Sequence, residues 1–246
     1  MLNVIKTKCA ALIASWSAVP SLRYKILLPL QRLVSMDADE EMLMRAFSFA
    51  GHNSPDGDYL EFGVWKGRSF VKAFHMLDTF IRGKKGQLKN MRFFAFDSFE
   101  GLPKPTTIED MSTGEFKKGD YMFDRNSFEH VLAQKHVSKE RVCIVPGWFN
   151  ESLTDRVKAG FSLRKAAVVW IDCDLYESTV PVLKFIEDII VDGTIIIFDD
   201  WYCFQGRSDR GEQKAMAEWL ERNSGIRAIP WHSPSWKAQA FILNKK

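Results

Sequence analysis

Apolar runs of strand length alternate with segments of helical periodicity along most of the chain. The runs AAVVWI and TIIIF are apolar almost throughout, as is typical of central strands that helices cover on both faces. Five such runs are predicted to be strands: 58–62, 92–97, 141–146, 166–172 and 194–199. This alternation indicates βαβ units and therefore predicts a doubly wound α/β sheet that is mostly parallel.

Segments with the apolar spacing of helices lie between the predicted strands. They predict helices over 36–51, 67–82, 126–136, 178–190 and 211–223, on both faces of the sheet. Two further runs, 227–230 and 237–243, predict closing strands, with an antiparallel strand at the C-terminal end. At 246 residues the chain has room for one substantial core. We expect one α/β domain over 36–246, preceded by an N-terminal helical extension over 1–35.

One long segment, 99–124, has weak periodicity and is rich in Gly, Pro, Thr and charged residues. Loops of this length inside a compact domain are usually either functional or disordered. The segment therefore has two interpretations, a lid over a binding site and a plain surface excursion, which the sequence does not separate.

Charge and cysteine content narrow the class of protein. The net charge of +3 is small against 34 basic and 31 acidic residues and no long run of like charge occurs, so nucleic acid is not an expected partner. The four cysteines show no metal-ligand or disulfide spacing, which favours a reduced, cytoplasmic protein. The short apolar stretch 9–19 loosely resembles a signal peptide but is too short for a transmembrane segment, which needs about 20 residues. A packed or surface-lying helix is favoured there, with export or membrane contact as the alternative.

Acidic residues or glycine turns follow each of the main predicted strands. They are Glu61 with Gly63, Asp97, Gly147, Asp172 and Asp199. Because the carboxyl ends of parallel strands lie along one edge of a sheet, these residues are expected to converge where ligands bind. Helix capping would explain single aspartates. It explains the pairs Asp172 with Asp174 and Asp199 with Asp200 less well, because crowded carboxylates repel one another unless a cation is present.

The first turn, EFGVWKGRS, predicts a close approach of backbone to a ligand. Gly63 and Gly67 follow a strand and open a helix. Val64 and Trp65 stand where the dinucleotide fingerprint has its second glycine, so a nucleoside without phosphates suits the turn better. Asp97, at the end of the second strand, is placed to accept hydrogen bonds from a ribose diol.

The series EFGVWKGRS, FAFDSFEGLP, PGWFNESL, IDCDLYEST and FDDWYCF, in that order, resembles the macrocin O-methyltransferase family of class I methyltransferases. The resemblance runs from about residue 36 to the C-terminal strand, and IDCDLYEST with the later FDD is its most specific part. It implies a Rossmann-like methyltransferase sheet and transfer of a methyl group from S-adenosylmethionine to a sugar hydroxyl of an antibiotic or related glycoside.

The resemblance also implies roles for individual residues. The methionine end of S-adenosylmethionine would be lined by Glu61, Gly63, Gly67 and Ser69, its ribose held by Asp97 and Ser98, and its adenine flanked by Gly147 and Trp148. Mg²⁺ would be bound by Asp172, Asp199 and Asp200, with Asp174 as the general base. Two features depart from the family: Arg68 replaces a frequent second glycine, and the first thirty or so residues have no clear counterpart.

Oxygen ligands of this kind suit a hard cation such as Mg²⁺, which can lower the pKa of a bound hydroxyl. The expected substrate is a small hydroxylated molecule, a sugar or glycoside. A cation-dependent methyltransferase acting on a catechol or other phenol remains an alternative, because it also presents two neighbouring oxygens. A nicotinamide-dependent dehydrogenase is a more distant alternative, against which the missing glycine argues. The oligomeric state stays open, a homo-oligomer included.

Overall fold

A seven-stranded sheet organises the part of the chain that the computed structural model describes, residues 36–53, 56–81, 87–111, 114 and 116–246. Its strands are β1 (Asp58–Phe62), β2 (Phe93–Asp97), β3 (Val142–Pro146), β4 (Ala166–Ile171), β5 (Ile190–Phe198), β6 (Ile226–His232) and β7 (Gln239–Lys245). They lie in the order β3-β2-β1-β4-β5-β7-β6. Strands β1 to β5 are parallel, and β7 pairs antiparallel with β5 and β6. The predicted mostly parallel sheet with an antiparallel C-terminal strand is confirmed.

Helices connect the strands. They are α1 (Ala38–Asn53), α2 (Arg68–Ile81), α3 (Ile108–Met111), α4 (Arg125–Gln134), α5 (Phe149–Ser152), α6 (Asp155–Gly160), α7 (Tyr176–Ile186) and α8 (Gly211–Arg222). Asp39–Lys246 form one compact unit, and the predicted extension over 1–35 lies outside the described residues. Within those residues, none of the helices combines the length and the hydrophobicity that crossing a bilayer requires.

Both faces of the sheet are buried, and successive residues of β5 show how. Ile195 and Ile197 are fully buried on the face that packs with α1, α2 and α4. Ile196 and Phe198 are equally buried on the opposite face, which packs with α7 and α8. Burial of each such side chain contributes about 1.5–3 kcal/mol to stability. The apolar run TIIIF is thus explained by two cores.

The start of β5 differs from the prediction, because the strand begins at Ile190 rather than at residue 194. Thr194 Oγ1 accepts a hydrogen bond from the Val191 N–H at 2.9 Å and donates to the Ala166 carbonyl at 2.6 Å. The register between β4 and β5 shifts at this point. A bulge therefore lets the strand continue through the Asp-Gly pair, which in sequence is typical of a turn.

The chain reverses its direction of travel across the sheet between β1 and β4. From β1 it proceeds outward through β2 to β3, and it then returns to place β4 on the other side of β1. In doubly wound sheets, such a switch point opens a crevice at the carboxyl ends of the strands, where ligands bind. The residues that follow β1, β2, β4 and β5 surround this crevice.

Candidate active site

Three carboxylates meet at the carboxyl ends of the neighbouring strands β4 and β5. The register pairs Ile171, the last residue of β4, with Phe198, the last of β5. Asp172 and Asp199 follow directly, and the Asp199 N–H donates to the Ile171 carbonyl at 2.9 Å. Carboxylate oxygens of Asp172, Asp199 and Asp200 lie within 4.8 Å of one another. Three carboxylates this close can share one oxygen-coordinated cation.

The fourth predicted acid, Asp174, lies against the same cluster. Its side chain is buried and its backbone has a φ of 61°, a left-handed conformation that few residues other than glycine, asparagine and aspartate adopt readily. Burial, and then the Asp200 carboxylate, raises the pKa of Asp174 well above its usual value. Burial and the Asp199 carboxylate raise the pKa of Asp172 in the same way. The structure brings all four predicted acids together.

A lysine that the sequence analysis did not single out brings positive charge to this cluster. Lys237 Nζ lies 2.6 Å from Asp199 Oδ2 and 2.8 Å from Asp200 Oδ1. Burial by itself would lower the pKa of Lys237, but the Asp200, Asp199 and Asp172 carboxylates raise it above its ordinary value. Lys237 precedes the last strand and stands 37 residues beyond Asp200, so no short sequence pattern connects the two.

Glu212, in the first turn of α8, is a fifth buried acid at this site. It is 1% exposed, and its Oε2 accepts a hydrogen bond from the Asp200 N–H at 3.1 Å. Burial, and then the Asp200 carboxylate, raises the pKa of Glu212 well above its usual value. In the sequence, an acid in the first turn of a helix indicates stabilisation by the helix dipole and nothing more. Sequence analysis therefore missed it.

The donor set of the cluster fits a hard divalent cation. Among the described residues, Asp200 Oδ2 and Glu212 Oε1 are buried and have no hydrogen-bond partner. Buried carboxylate oxygens without a partner are costly in a purely structural role, whereas a cation would compensate them. The neighbouring thiol of Cys203 donates to Asp200 Oδ1 at 3.4 Å, and burial raises the pKa of Cys173 well above its usual value. Oxygen ligands without thiolates favour Mg²⁺ over softer metals.

The glycine turn after β1 packs directly against the acid cluster. Gly63 has a φ of 86°, and a Cβ atom placed on it would lie 1.8 Å from the Asp172 carbonyl oxygen. The Asp172 N–H in turn donates to the Phe62 carbonyl at 2.8 Å. A Cβ atom on Gly67 would lie 2.9 Å from the Phe128 ring. The glycines thus allow the first turn to approach both the acid cluster and α4.

Glu61 and Ser69, predicted to line the cofactor site, form a network beneath this turn. Glu61 is fully buried, and it accepts hydrogen bonds from the Tyr59 hydroxyl at 2.5 Å and the Ser69 hydroxyl at 2.6 Å. Burial raises the pKa of Glu61 to about 8, although both hydrogen bonds act to lower it. The hydrogen bond between Glu61 and Ser69 thus connects the end of β1 to the start of α2 and holds the two ends of the turn together.

Asp97 links the end of β2 to the glycine turn. Its Oδ2 accepts hydrogen bonds from the Val64 N–H at 2.8 Å and the Trp65 N–H at 3.1 Å, and its Oδ1 accepts from the Phe99 N–H at 2.7 Å. Burial raises the pKa of Asp97, although these backbone hydrogen bonds act to lower it. Each carboxylate oxygen has two lone pairs, so Oδ2 is fully used by its two donors, whereas Oδ1 retains capacity for one further donor such as a hydroxyl.

The remaining predicted cofactor residues lie at the same edge of the sheet. The Gly147 N–H donates to the Asp97 carbonyl at 2.9 Å, and the half-buried Trp148 is the N-cap residue that precedes α5. Ser98 Oγ donates to the Gly101 carbonyl at 2.9 Å, and so it forms a local turn. The predicted cofactor residues therefore follow β1, β2 and β3, whereas the acids follow β4 and β5.

Aromatic side chains follow the acids and occur in the glycine turn. Trp170 is a core residue, and Trp201 packs against Phe198 and Phe241 with ring centroids 5.0 and 4.8 Å away. Trp65 and Tyr121 are both about half exposed, and their rings meet edge to face at 5.6 Å. Burial, and to a smaller extent the Asp174 and Asp200 carboxylates, raises the pKa of Tyr121.

The described part of segment 99–124 is tied to the first turn of α7. Asp110 is fully buried and accepts hydrogen bonds from the Tyr176 N–H at 2.7 Å and the Glu177 N–H at 3.1 Å. Glu177 Oε1 accepts in return from the N–H groups of Thr106 and Thr107, both at 2.7 Å. Each segment therefore caps the other with a carboxylate.

An apolar cluster adds to this attachment. Its buried members are Leu102, Phe116, Leu175, Cys203 and Phe204. The first two belong to segment 99–124, Leu175 follows Asp174, and the last two follow Asp200. The segment thus packs against the two loops that carry the acids.

Replacement of Asp110 by alanine tests this attachment. It leaves the Tyr176 and Glu177 N–H groups without their acceptor, so we expect the free energy of unfolding to fall by about 1–3 kcal/mol. We also expect limited proteolysis to cut segment 99–124 sooner than in the unchanged protein. Asp120→Ala is the matched control, because Asp120 accepts from the Lys117 N–H within the same segment. Equal stability and equal cleavage of the two variants would contradict the capping role.

A family model described as Macrocin-O-methyltransferase (TylF) matches residues 41–229. An 8-demethyl-8-(2,3-dimethoxy-alpha-L-rhamnosyl)-tetracenomycin-C 4'-O-methyltransferase from Streptomyces olivaceus is 29% identical over 59% of this chain and 53% of its own length. A demethyldecarbamoylnovobiocin O-methyltransferase from Streptomyces niveus is 28% identical over 61% and 55%. The chain thus spans about half the length of the curated relatives it matches.

Solved structures share the fold. The O-methyltransferase NovP superposes with a TM-score of 0.69 at 19% identity, over 85% of this chain and 80% of NovP. The calicheamicin methyltransferase CalS11 superposes with a TM-score of 0.67 at 20% identity, over 96% of this chain and 90% of CalS11. At this level of identity the likeness supports the architecture and not the chemistry.

Proposed function

The chain belongs to the macrocin-O-methyltransferase (TylF) family, and from this premise we propose that it transfers a methyl group from S-adenosylmethionine to a hydroxyl of a sugar or glycoside, assisted by a divalent cation. The observation that carries the proposal is the contact between the two halves of the crevice. The glycine turn after β1 lies against the backbone of Asp172, so closely that a Cβ atom added to Gly63 would overlap the Asp172 carbonyl oxygen. A methyl donor on the turn and an acceptor on the acids would therefore be neighbours.

The first three strands would hold S-adenosylmethionine, which supplies a methyl group on a positively charged sulfur. In this proposal Gly63 and Gly67 let the backbone approach the methionine end of S-adenosylmethionine. Glu61 and Ser69, which are hydrogen-bonded to each other, line the same end. Asp97 accepts hydrogen bonds from the ribose hydroxyls, with Ser98 beside it. Gly147 and Trp148 border the adenine. The missing phosphate-binding glycine supports a nucleoside of this kind rather than a dinucleotide.

Asp172, Asp199 and Asp200 would hold the cation, proposed to be Mg²⁺ because all three ligands are carboxylates. When bound, Mg²⁺ supplies Lewis acidity that lowers the pKa of a nearby hydroxyl. Asp174 then takes the hydroxyl proton as general base. Burial, and then the Asp200 carboxylate, raises the pKa of Asp174, which favours proton uptake by this side chain.

Two observations support a sugar as the acceptor. The name of the relative from Streptomyces olivaceus specifies a rhamnosyl group. In this chain, Trp65, in the glycine turn that packs against Asp172, and Tyr121 present partly exposed rings that contact each other. Aromatic rings bury large apolar areas and suit the flat C–H face of a sugar ring. We therefore propose that this pair borders the acceptor.

A methyl-transfer screen tests the proposal. The full chain would be incubated with S-adenosylmethionine and Mg²⁺ against panels of glycosides and catechols, with mass detection of the product. We expect methylated glycosides, and we expect EDTA to lower the rate by at least about 100-fold, because Lewis-acid assistance is worth several kcal/mol. Added Mg²⁺ should restore the rate. Binding of S-adenosylhomocysteine, measured by calorimetry, should change little with EDTA.

Each contrary result is informative. Turnover of catechols without turnover of any glycoside would show that the acceptor is a phenol and not a sugar. Full activity in excess EDTA would remove the cation from the mechanism. A rise in melting temperature with NAD and none with S-adenosylhomocysteine would replace the methyltransferase by a dehydrogenase.

A further inference from the structure

The ammonium group of Lys237 contacts carboxylate oxygens of the acid cluster that would also bind a cation. Its Nζ contacts one oxygen of Asp199 and one of Asp200, and these are two of the three proposed cation ligands. The contacts are 2.6 and 2.8 Å long, which is typical of charge-assisted hydrogen bonds. The ammonium group thus already compensates part of the negative charge that makes the site attractive to a divalent cation.

The two positive charges would lie close together if both were present. Mg²⁺ bonds to oxygen at about 2.1 Å, so an ion on either contacted oxygen would lie within about 5 Å of the Lys237 nitrogen. Like charges at this separation in a largely buried site repel each other strongly, because little water screens them. Simultaneous occupation of these oxygens is therefore unfavourable.

The side chain of Lys237 can move towards solvent, whereas its backbone is fixed by hydrogen bonds. Its N–H donates to Ser235 Oγ at 3.3 Å, and its carbonyl accepts from the Tyr202 N–H at 2.8 Å. Its side chain is 32% exposed, and lysine has a flexible four-carbon stem. The ammonium group can therefore swing from the carboxylates into solvent without a change in the fold.

We propose that Lys237 is a displaceable internal counter-ion, which competes with the divalent cation for Asp199 and Asp200. This inference rests on the proposed function, since it takes these two residues as cation ligands. Without the cation, the ammonium group keeps the crowded carboxylates compatible with the folded state. Binding of the cation expels it, so that the apparent cation affinity is weaker than the carboxylates alone would provide.

Calorimetric titration with Mn²⁺ and Mg²⁺ tests the competition. For Lys237→Met we expect cation binding at least about tenfold tighter than in the unchanged protein, because couplings between close charges start at about 1.5 kcal/mol. Lys237→Arg keeps the charge and should bind the cation no more tightly than the unchanged protein. Lys165→Met is the matched control, because Lys165 pairs with Asp56 before the amino end of β1, away from the acids. It should leave the affinity unchanged.

Amine labelling provides a second measurement that needs no variant. The unchanged protein would be treated with a limiting amount of an acylating reagent, with and without saturating Mn²⁺, and labelling of each lysine measured by peptide mass spectrometry. If the cation displaces the ammonium group, Lys237 should be labelled several-fold faster in its presence. Labelling of Lys165 should not change.

The outcomes separate this inference from the proposed function. Equal or weaker cation binding by Lys237→Met, with clear binding by the unchanged protein, would overturn the competition and leave the cation site standing. Binding by Lys237→Met together with no binding by the unchanged protein would uphold the competition and remove the cation from the natural reaction. No binding by either protein, and no change in labelling, would overturn both.

Discussion

Asp174→Asn is expected to lower the turnover number by a factor on the order of 10² to 10⁴, the range that a general base contributes. The amide has nearly the same shape as the carboxylate but does not accept the proton. Asparagine also tolerates the left-handed backbone found at this position better than most residues do. Because an amide places no charge in the crowded cluster, stability should stay the same or rise. The fall in activity would then be due to the loss of the proton acceptor and not to unfolding.

Three measurements separate the base from a structural role. The turnover number should fall, the affinity for S-adenosylhomocysteine should change little, and the melting temperature should not drop. Asp192→Asn is the matched control, since Asp192 is an exposed carboxylate near the opposite end of β5. An unchanged turnover number in Asp174→Asn would remove this residue as the base.

Gly63→Ala should destabilise the protein by about 4 kcal/mol or more and leave little folded enzyme. The added methyl group would lie 1.8 Å from the Asp172 carbonyl oxygen, and the φ of 86° is already strained for alanine. The neighbour is backbone that pairs with β1, so it yields only if the central strands separate. The first turn and the acid cluster would be lost together.

Denaturant titration measures the effect, and Gly225→Ala provides the control. A Cβ atom on Gly225 has no other heavy atom within 4 Å, so this change should alter the free energy of unfolding by less than about 1 kcal/mol. Similar stability of the two variants would show that the contact between the first turn and Asp172 yields more easily than its geometry indicates.

The sheet could be predicted from the sequence because each strand is marked by the apolar pattern of its own consecutive residues. Strand β1 has the predicted bounds, and α8 ends within one residue of its prediction. The carboxyl ends of parallel strands share an edge, so the convergence of Asp172 and Asp199 could also be anticipated. Family membership, suspected from five short motifs, is confirmed for residues 41–229.

The rest of the site depends on contacts between distant parts of the chain. Lys237 was expected inside a strand, but β7 begins at Gln239, and this leaves the lysine free to reach the acids. Glu212 is seen only when α8 is placed beside Asp200. Helix α7 begins at Tyr176, two residues earlier than predicted, because Asp110 caps it from another segment. Periodicity contains no information about such partners.

The reciprocal caps between segment 99–124 and α7 limit how this enzyme could be re-engineered. Exchanging that segment for one from a relative is an obvious way to seek a changed acceptor preference, since it contains Tyr121 of the aromatic pair proposed to border the acceptor. The segment also provides the carboxylate that orders the helix behind Asp174. A graft should therefore retain Asp110 or supply an equivalent acid, and Glu177 should be kept to receive it. A change to the proposed acceptor contacts in this segment therefore also affects the helix that follows Asp174.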